Sequence, residues 1–135
     1  MKSKRSGGQK WAPLRQAPSL PESDVALRYV RRVEELFRRK AKESVKLAEA
    51  AACAGCSVRT LQLAFRRCRG MTPMAALRRI RLEAARAALA RADGRASIRA
   101  IAVAHRFTNS GRFARLFKAA FGQSPSELRR AQDRP

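Results

Sequence analysis

Apolar residues recur at helical spacing from Ser23 onward. Ala26, Val30, Val33 and Phe37 fall at i, i+4, i+7 and i+11, lining one face of an α-helix and leaving Arg and Glu on the other. A short helix follows, with Leu47, Ala50, Ala51 and Ala54 at i, i+3, i+4 and i+7. Gly55 can take the left-handed conformation that stops it. Ser57 is placed to cap a next helix whose stripe is Leu61, Ala64, Phe65 and Cys68, and Gly70 ends it. Thr72-Pro73 then supplies an N-cap with Pro at the first helical position. The longest helix is predicted over 73–91, with Leu77, Ile80, Ala84 and Ala88 on one face and Asp93-Gly94 closing it. β-branched residues never alternate with polar ones over a useful length. The pattern predicts an all-α fold.

The pattern then repeats. Ile98, Ile101, Ala102 and His105 match 47, 50, 51 and 54 at an offset of 51. Phe113, Leu116, Phe117 and Ala120 match 61, 64, 65 and 68 at an offset of 52, so the second turn is one residue longer. Thr108 is the expected second cap. "FRRCRGMTP" (65–73) and "FKAAFGQSP" (117–125) are near copies, each a Gly stop followed by a Ser/Thr-Pro restart. The second restart, Ser124-Pro125-Ser126-Glu127, carries a full capping box.

Two short helices joined by a tight turn form a helix-turn-helix, whose second helix can enter the DNA major groove. The stripe holds the pair together and the opposite face stays free to meet base edges. On the first candidate recognition helix that face carries Arg59, Thr60, Gln62 and Arg66; on the second, Asn109, Ser110, Arg112 and Arg115. Arg pairs bidentately with guanine, and Gln or Asn with adenine. One such hairpin is a weak signal; two with matched stops and restarts are a strong one. A helix of 19 residues spans about 28 Å. With the bulk of each unit added, it could set two recognition helices about 34 Å apart, one turn of DNA.

Charge agrees. Among 135 residues, 31 Lys+Arg face 10 Asp+Glu, a net charge of +21 with pI ≈ 11.8, which points to a polyanionic partner. Nucleic acid is the first candidate and an anionic membrane surface the second. The arginine run "LRRIRLEAARAALARADGR" has a largely Ala face, which buries little area in lipid and suits a packed linker helix better. No run approaches the roughly 20 apolar residues that span a bilayer. Residues 1–21 read as a basic disordered arm or linker with Trp11 solvated, and no apolar run there marks a secretory signal. Three cysteines, an odd number, point to reduced thiols in the cytoplasm.

"CAGC" (53–56) has redox-pair spacing, but Cys56 sits in an apolar turn slot and His105 matches core Ala54, so packing is expected for both. No nucleophile–base pair or metal-ligand set emerges. The chain is expected to be no enzyme and to need no metal or cofactor.

"AGCSVRTLQLAFRRCRGMTPMAALRRIRLEAARAAL" (54–89) and "IRAIAVAHRFTNSGRFARLFKAAFGQSPSELR" (98–129) resemble the DNA-binding domain of AraC/XylS-type bacterial transcriptional regulators. With "ALRYVRRVEELF" ahead of them, the likeness covers roughly residues 24–130. It implies seven helices in two helix-turn-helix subdomains joined by a long helix. The expected layout is a first subdomain over 22–72, a linker helix over 73–92 and a second subdomain over 93–135. Carried onto matching positions, the family's base contacts are Arg59, Gln62 and Leu63, then Ser110, Gly111, Arg112 and Arg115. Leu63 stands where the family often has Arg, so it reads a thymine methyl or nothing. Arg106 replaces the Gly usual in the second turn; if φ there is positive, the strain is about 1 kcal/mol. Phosphate is the expected partner of Ser57, Arg66, Arg67, Arg69, Thr108 and Lys118.

The function expected is that of a sequence-specific reader of double-stranded DNA at a promoter or operator. Monomer binding is compatible with two readers on one chain, RNA polymerase is a further candidate partner, and the place is the bacterial cytoplasm and nucleoid. The alternative is a non-specific basic nucleic-acid-binding protein of nucleoid or RNA. The family commonly carries a separate ligand-binding or dimerisation domain, which the residues before Ser23 are too few to form; a stand-alone regulator and a part of a longer one both fit.

Overall fold

The computed structural model describes residues 23–91 and 96–133. The basic arm with Trp11 and the Asp93-Gly94 stop lie outside the described residues. Those described form seven helices and no strand: α1 (Ser23–Arg39), α2 (Leu47–Ala54), α3 (Val58–Arg69), α4 (Pro73–Arg91), α5 (Ile98–Ala104), α6 (Ser110–Phe121) and α7 (Pro125–Gln132).

Local chemistry starts and stops them where the pattern expects. The Ser57 hydroxyl accepts from the Thr60 N–H at 3.1 Å, and the Thr72 hydroxyl from the Ala75 N–H at 3.1 Å. At α7 the capping box is complete. Glu127 N–H donates to Ser124 Oγ at 3.1 Å and Ser124 N–H donates to Glu127 Oε1 at 2.7 Å. Ser97 caps α5 through the Ala100 N–H at 3.0 Å, a cap the apolar pattern does not single out.

One expected cap is corrected. Asn109, not Thr108, opens α6, its Oδ1 accepting from the Arg112 N–H at 2.8 Å. The α6 stripe follows the 52-residue offset, which carries Ser57 onto position 109. The inserted residue therefore falls before the cap.

Packing divides the chain through the middle of α4. The first core joins Val30, Val33 and Phe37 of α1 to Ala50, Ala51 and Ala54, to Leu61 and Phe65, and to Ala76, Leu77 and Ile80 of α4. The second joins Leu82, Ala85 and Leu89 of α4 to Ile101, Ala102, Phe107, Phe113 and Phe117. At 100° per residue these two α4 faces point about 160° apart. The single expected stripe is thus corrected: Leu77 and Ile80 are buried, while Ala84 and Ala88 further along it are only half-buried. A helix clasped from opposite sides by two units has no single apolar face.

His105 is a packed ring, 3% exposed, its Nδ1–H donating to the Ile101 carbonyl at 2.7 Å. Burial holds its pKa below the usual histidine value, although the carbonyl bond opposes this. Cys56 is half-buried with its thiol pushed up by desolvation, and all three cysteines are free.

Candidate nucleic-acid interface

Both candidate recognition helices run twelve residues and start from a side-chain cap. Each buries one stripe: Leu61, Ala64 and Phe65 on α3, Phe113 and Phe117 on α6. That fixes the outward face of each. On α3, Arg59, Gln62, Leu63 and Arg66 share a shallow groove of about 230 Å³ with Thr72. Three expected base readers, Arg59, Gln62 and the apolar Leu63, thereby come together with Arg66, which is expected at phosphate. Thr60 is half-buried, its hydroxyl oxygen accepting from Ser57 at 2.9 Å. Ser57 is thus engaged at the cap through both its bonds.

On α6 the exposed face holds Asn109, Ser110, Gly111, Arg112 and Arg115. Bidentate reading of adenine needs both ends of an Asn amide. The Asn109 oxygen is already used by the Arg112 N–H, which leaves its NH₂ free to act. A Cβ added at Gly111 would meet only ordinary contacts, 3.4 Å from Asn109 Oδ1 and 3.6 Å from a terminal nitrogen of Arg115. The Arg115 guanidinium thus lies over the first turn of α6.

The residues expected at phosphate divide. Arg66, Arg67, Thr108 and Lys118 are exposed. Lys118 lies 3.9 Å from Glu127, a loose pair in solvent. Arg69 is committed elsewhere. Its Nε meets Glu34 Oε2 at 2.8 Å and its second nitrogen Oε1 at 3.0 Å, a two-pronged clamp between the end of α3 and α1. That pairing raises its pKa further.

Three cations at this surface were absent from the expected contacts. Arg78 and Arg81 of α4 and Arg106 of the second turn line a cleft of about 440 Å³ with Met74, Thr108, Asn109 and Arg112. Met74, Arg78 and Arg81 stand at i, i+4 and i+7, a usable signal. What was missing was the knowledge of which unit that side of α4 faces.

The turns themselves match. Cys56 N–H donates to Ala51 O at 3.1 Å in the first, and Phe107 N–H to Ala102 O at 2.9 Å in the second. Gly55 takes φ 84° in one and Arg106 φ 74° in the other. A helix-turn-helix domain family matches residues 50–131. The crystal structure of a probable AraC family transcriptional regulator from Rhodopseudomonas palustris is 34% identical, with a TM-score of 0.72 over 79% of this chain and 98% of that one. This chain belongs to the AraC family.

Among AraC-family and other regulators, the chain is 39% identical over 99 residues to a probable thc operon regulatory protein of Rhodococcus erythropolis, covering 73% of this chain and 30% of that protein. It is 34% identical over 97 residues to the XylDLEGF operon transcriptional activator 2 of Pseudomonas putida, covering 71% and 62%. The chain therefore spans less than two thirds of the length of these curated relatives. An AraC-type regulator from Chromobacterium violaceum, 24% identical with a TM-score of 0.72, shares the fold. Among the described residues no helix is long and apolar enough to cross a membrane, and no group of His, Cys, Asp or Glu is placed to hold a metal.

Proposed function

We propose that this chain is the sequence-specific, double-stranded-DNA-reading part of a transcriptional regulator, with α3 and α6 entering successive major grooves on one face of the duplex. One observation carries the reading: the same capped helix-turn-helix occurs twice, packed on opposite sides of one 19-residue helix. Two different reading faces on one chain make the preferred site asymmetric and permit binding as a monomer. The role is non-enzymatic. Base reading falls to Arg59, Gln62 and Leu63 on α3 and to Ser110, Arg112 and Arg115 on α6. Arg66, Arg67 and Lys118 neutralise phosphates. Contact with RNA polymerase and a place in the bacterial nucleoid go with this role.

The test is competition binding with a duplex selected from a randomised pool. The reading expects the selected duplex to survive an excess of random duplex, as specific sites bind about 10³-fold or more tighter than non-specific ones. Complete displacement by random duplex or by RNA would sink it in favour of a non-specific coat protein.

A further inference from the structure

The cleft between α4 and the second turn has an unusual charge balance. Arg78, Arg81, Arg106 and Arg112 line it, and no acidic side chain does. Among the described residues Arg78, Arg106 and Arg112 have no carboxylate partner. Arg81 is held by backbone carbonyls of the first unit, its Nε on Ala41 O at 3.0 Å and a terminal nitrogen on Glu43 O at 2.8 Å. Burial and then the nearby charge of Arg106 make its protonated form less favourable.

The cleft also has a place in the reading surface. Of its lining, Asn109 and Arg112 belong to the outward face of α6. Met74, also in the lining, stands two residues beyond Thr72, which lines the α3 groove. Arg78, one helical turn after Met74, continues that line. The cleft thus draws its lining from α6 and from the part of α4 that follows the α3 groove. Its cations Arg78, Arg106 and Arg112 are exposed, which suits a passing polymer backbone better than an enclosed small ligand.

Arg106 is the only non-glycine residue with positive φ among those described. Side chains at such a φ are strained, and the matching turn uses glycine. The strain is tolerated while a guanidinium is delivered to a cleft already rich in them. That cluster repels itself in the free protein, and a row of phosphates would relieve it.

We propose that this cleft is a third DNA contact, a phosphate clamp that holds the backbone where the duplex passes between α3 and α6, and that Arg106 sits in a strained turn in order to supply one of its cations. The proposal rests on the DNA-reading function above. A clamp of this kind adds affinity and salt dependence without sequence preference.

The test compares the full chain with Arg106→Gly and Arg106→Lys on a selected duplex and on a random duplex of equal length, titrated across KCl concentrations. Arg106→Gly is expected to weaken binding to both duplexes about five- to tenfold and to reduce the salt slope by about 1. Its Tm should rise by about 5 °C as the strain is released. Arg106→Lys should keep the slope. Unchanged affinity and slope in Arg106→Gly, with wild type binding normally, would overturn the clamp. So would a loss confined to the selected duplex, which would make Arg106 a base reader. A Tm increase with inorganic phosphate that Arg106→Gly abolishes, with DNA binding unaltered, would assign the cleft to a small anion and overturn it as well. If wild type itself fails to prefer the selected duplex, the DNA-reading function falls instead.

Discussion

The first unit closes its core with a helix of its own, α1, whereas the second uses the C-terminal half of the shared α4. α1 packs against α2, α3 and α4, and among the described residues fifteen buried residues form that core against eight in the second. The second unit compensates with aromatic area. Phe107, Phe113, Phe117 and Phe121 stack in sequence with centroids 5.0, 5.6 and 4.8 Å apart. Phe121 lies under two α4 guanidiniums, those of Arg79 at 5.2 Å and Arg86 at 4.8 Å. Among the described residues the first core has one, more distant ring pair, Phe37 and Phe65 at 6.4 Å. Bracing of the turns differs too. Arg32 of α1 donates to the Ala54 carbonyl at 3.2 Å in the first, whereas in the second the His105 ring ties back to its own helix. A repeated sequence pattern has produced two units with matching turns held by unequal means, and the unit with the smaller core also carries the strained turn.

The hardest blow to this comparison is a core truncation in each unit. Phe65→Ala and Phe113→Ala should each cost about 3–5 kcal/mol. If the cores are separate, Phe113→Ala speeds amide exchange in α5 to α7 while α3 stays protected. Equal loss of protection in both units would show one shared core and end the distinction.

Base reading gives the next largest effect. Arg59→Ala and Arg115→Ala should each relax preference at one base position by about 1–3 kcal/mol, and at different positions of the site. Binding measured on a panel of single-base variants separates them. A uniform loss over the whole panel would make either residue a phosphate contact.

The turns can be exchanged as well. A Cβ at Gly55 meets nothing within 4 Å, so Gly55→Arg should cost only its backbone strain, about 1 kcal/mol in thermal or denaturant unfolding. A much larger loss would mean that the first turn, unlike the second, cannot accept a side chain at this φ.

Acid should reveal the smallest difference. His105 is held neutral by burial, so the unfolded chain takes up a proton near pH 6.5 that the fold resists. Its contribution to stability is present above that pH and is lost as pH falls from 6.5 toward the depressed folded value. The first unit has Ala54 at the matching position and no such group. His105→Ala should therefore unfold with a flatter dependence between neutral pH and mild acid; an unchanged slope would assign the acid sensitivity to other groups.

Local chemistry made much of this molecule readable in advance. Seven helices, the caps at Ser57, Thr72 and Ser124, and the α4 limits of Pro73 and Arg91 follow from short-range spacing, stop and cap rules. The Asn109 cap was hidden for a smaller reason: two neighbouring residues could both cap, and only the register of the α6 core chooses between them.

The sequence alone determined that the chain folds as two copies of one helical hairpin, because helical period, Gly stops and Ser/Thr caps act within a few residues. Tertiary structure decided the rest. Only packing turns opposite sides of α4 to different cores, directs Arg69 to Glu34 rather than to solvent, and gathers Arg78, Arg81, Arg106 and Arg112 in one cleft. Those contacts join residues far apart in the chain, and a periodicity shows which face is apolar without showing what that face will meet.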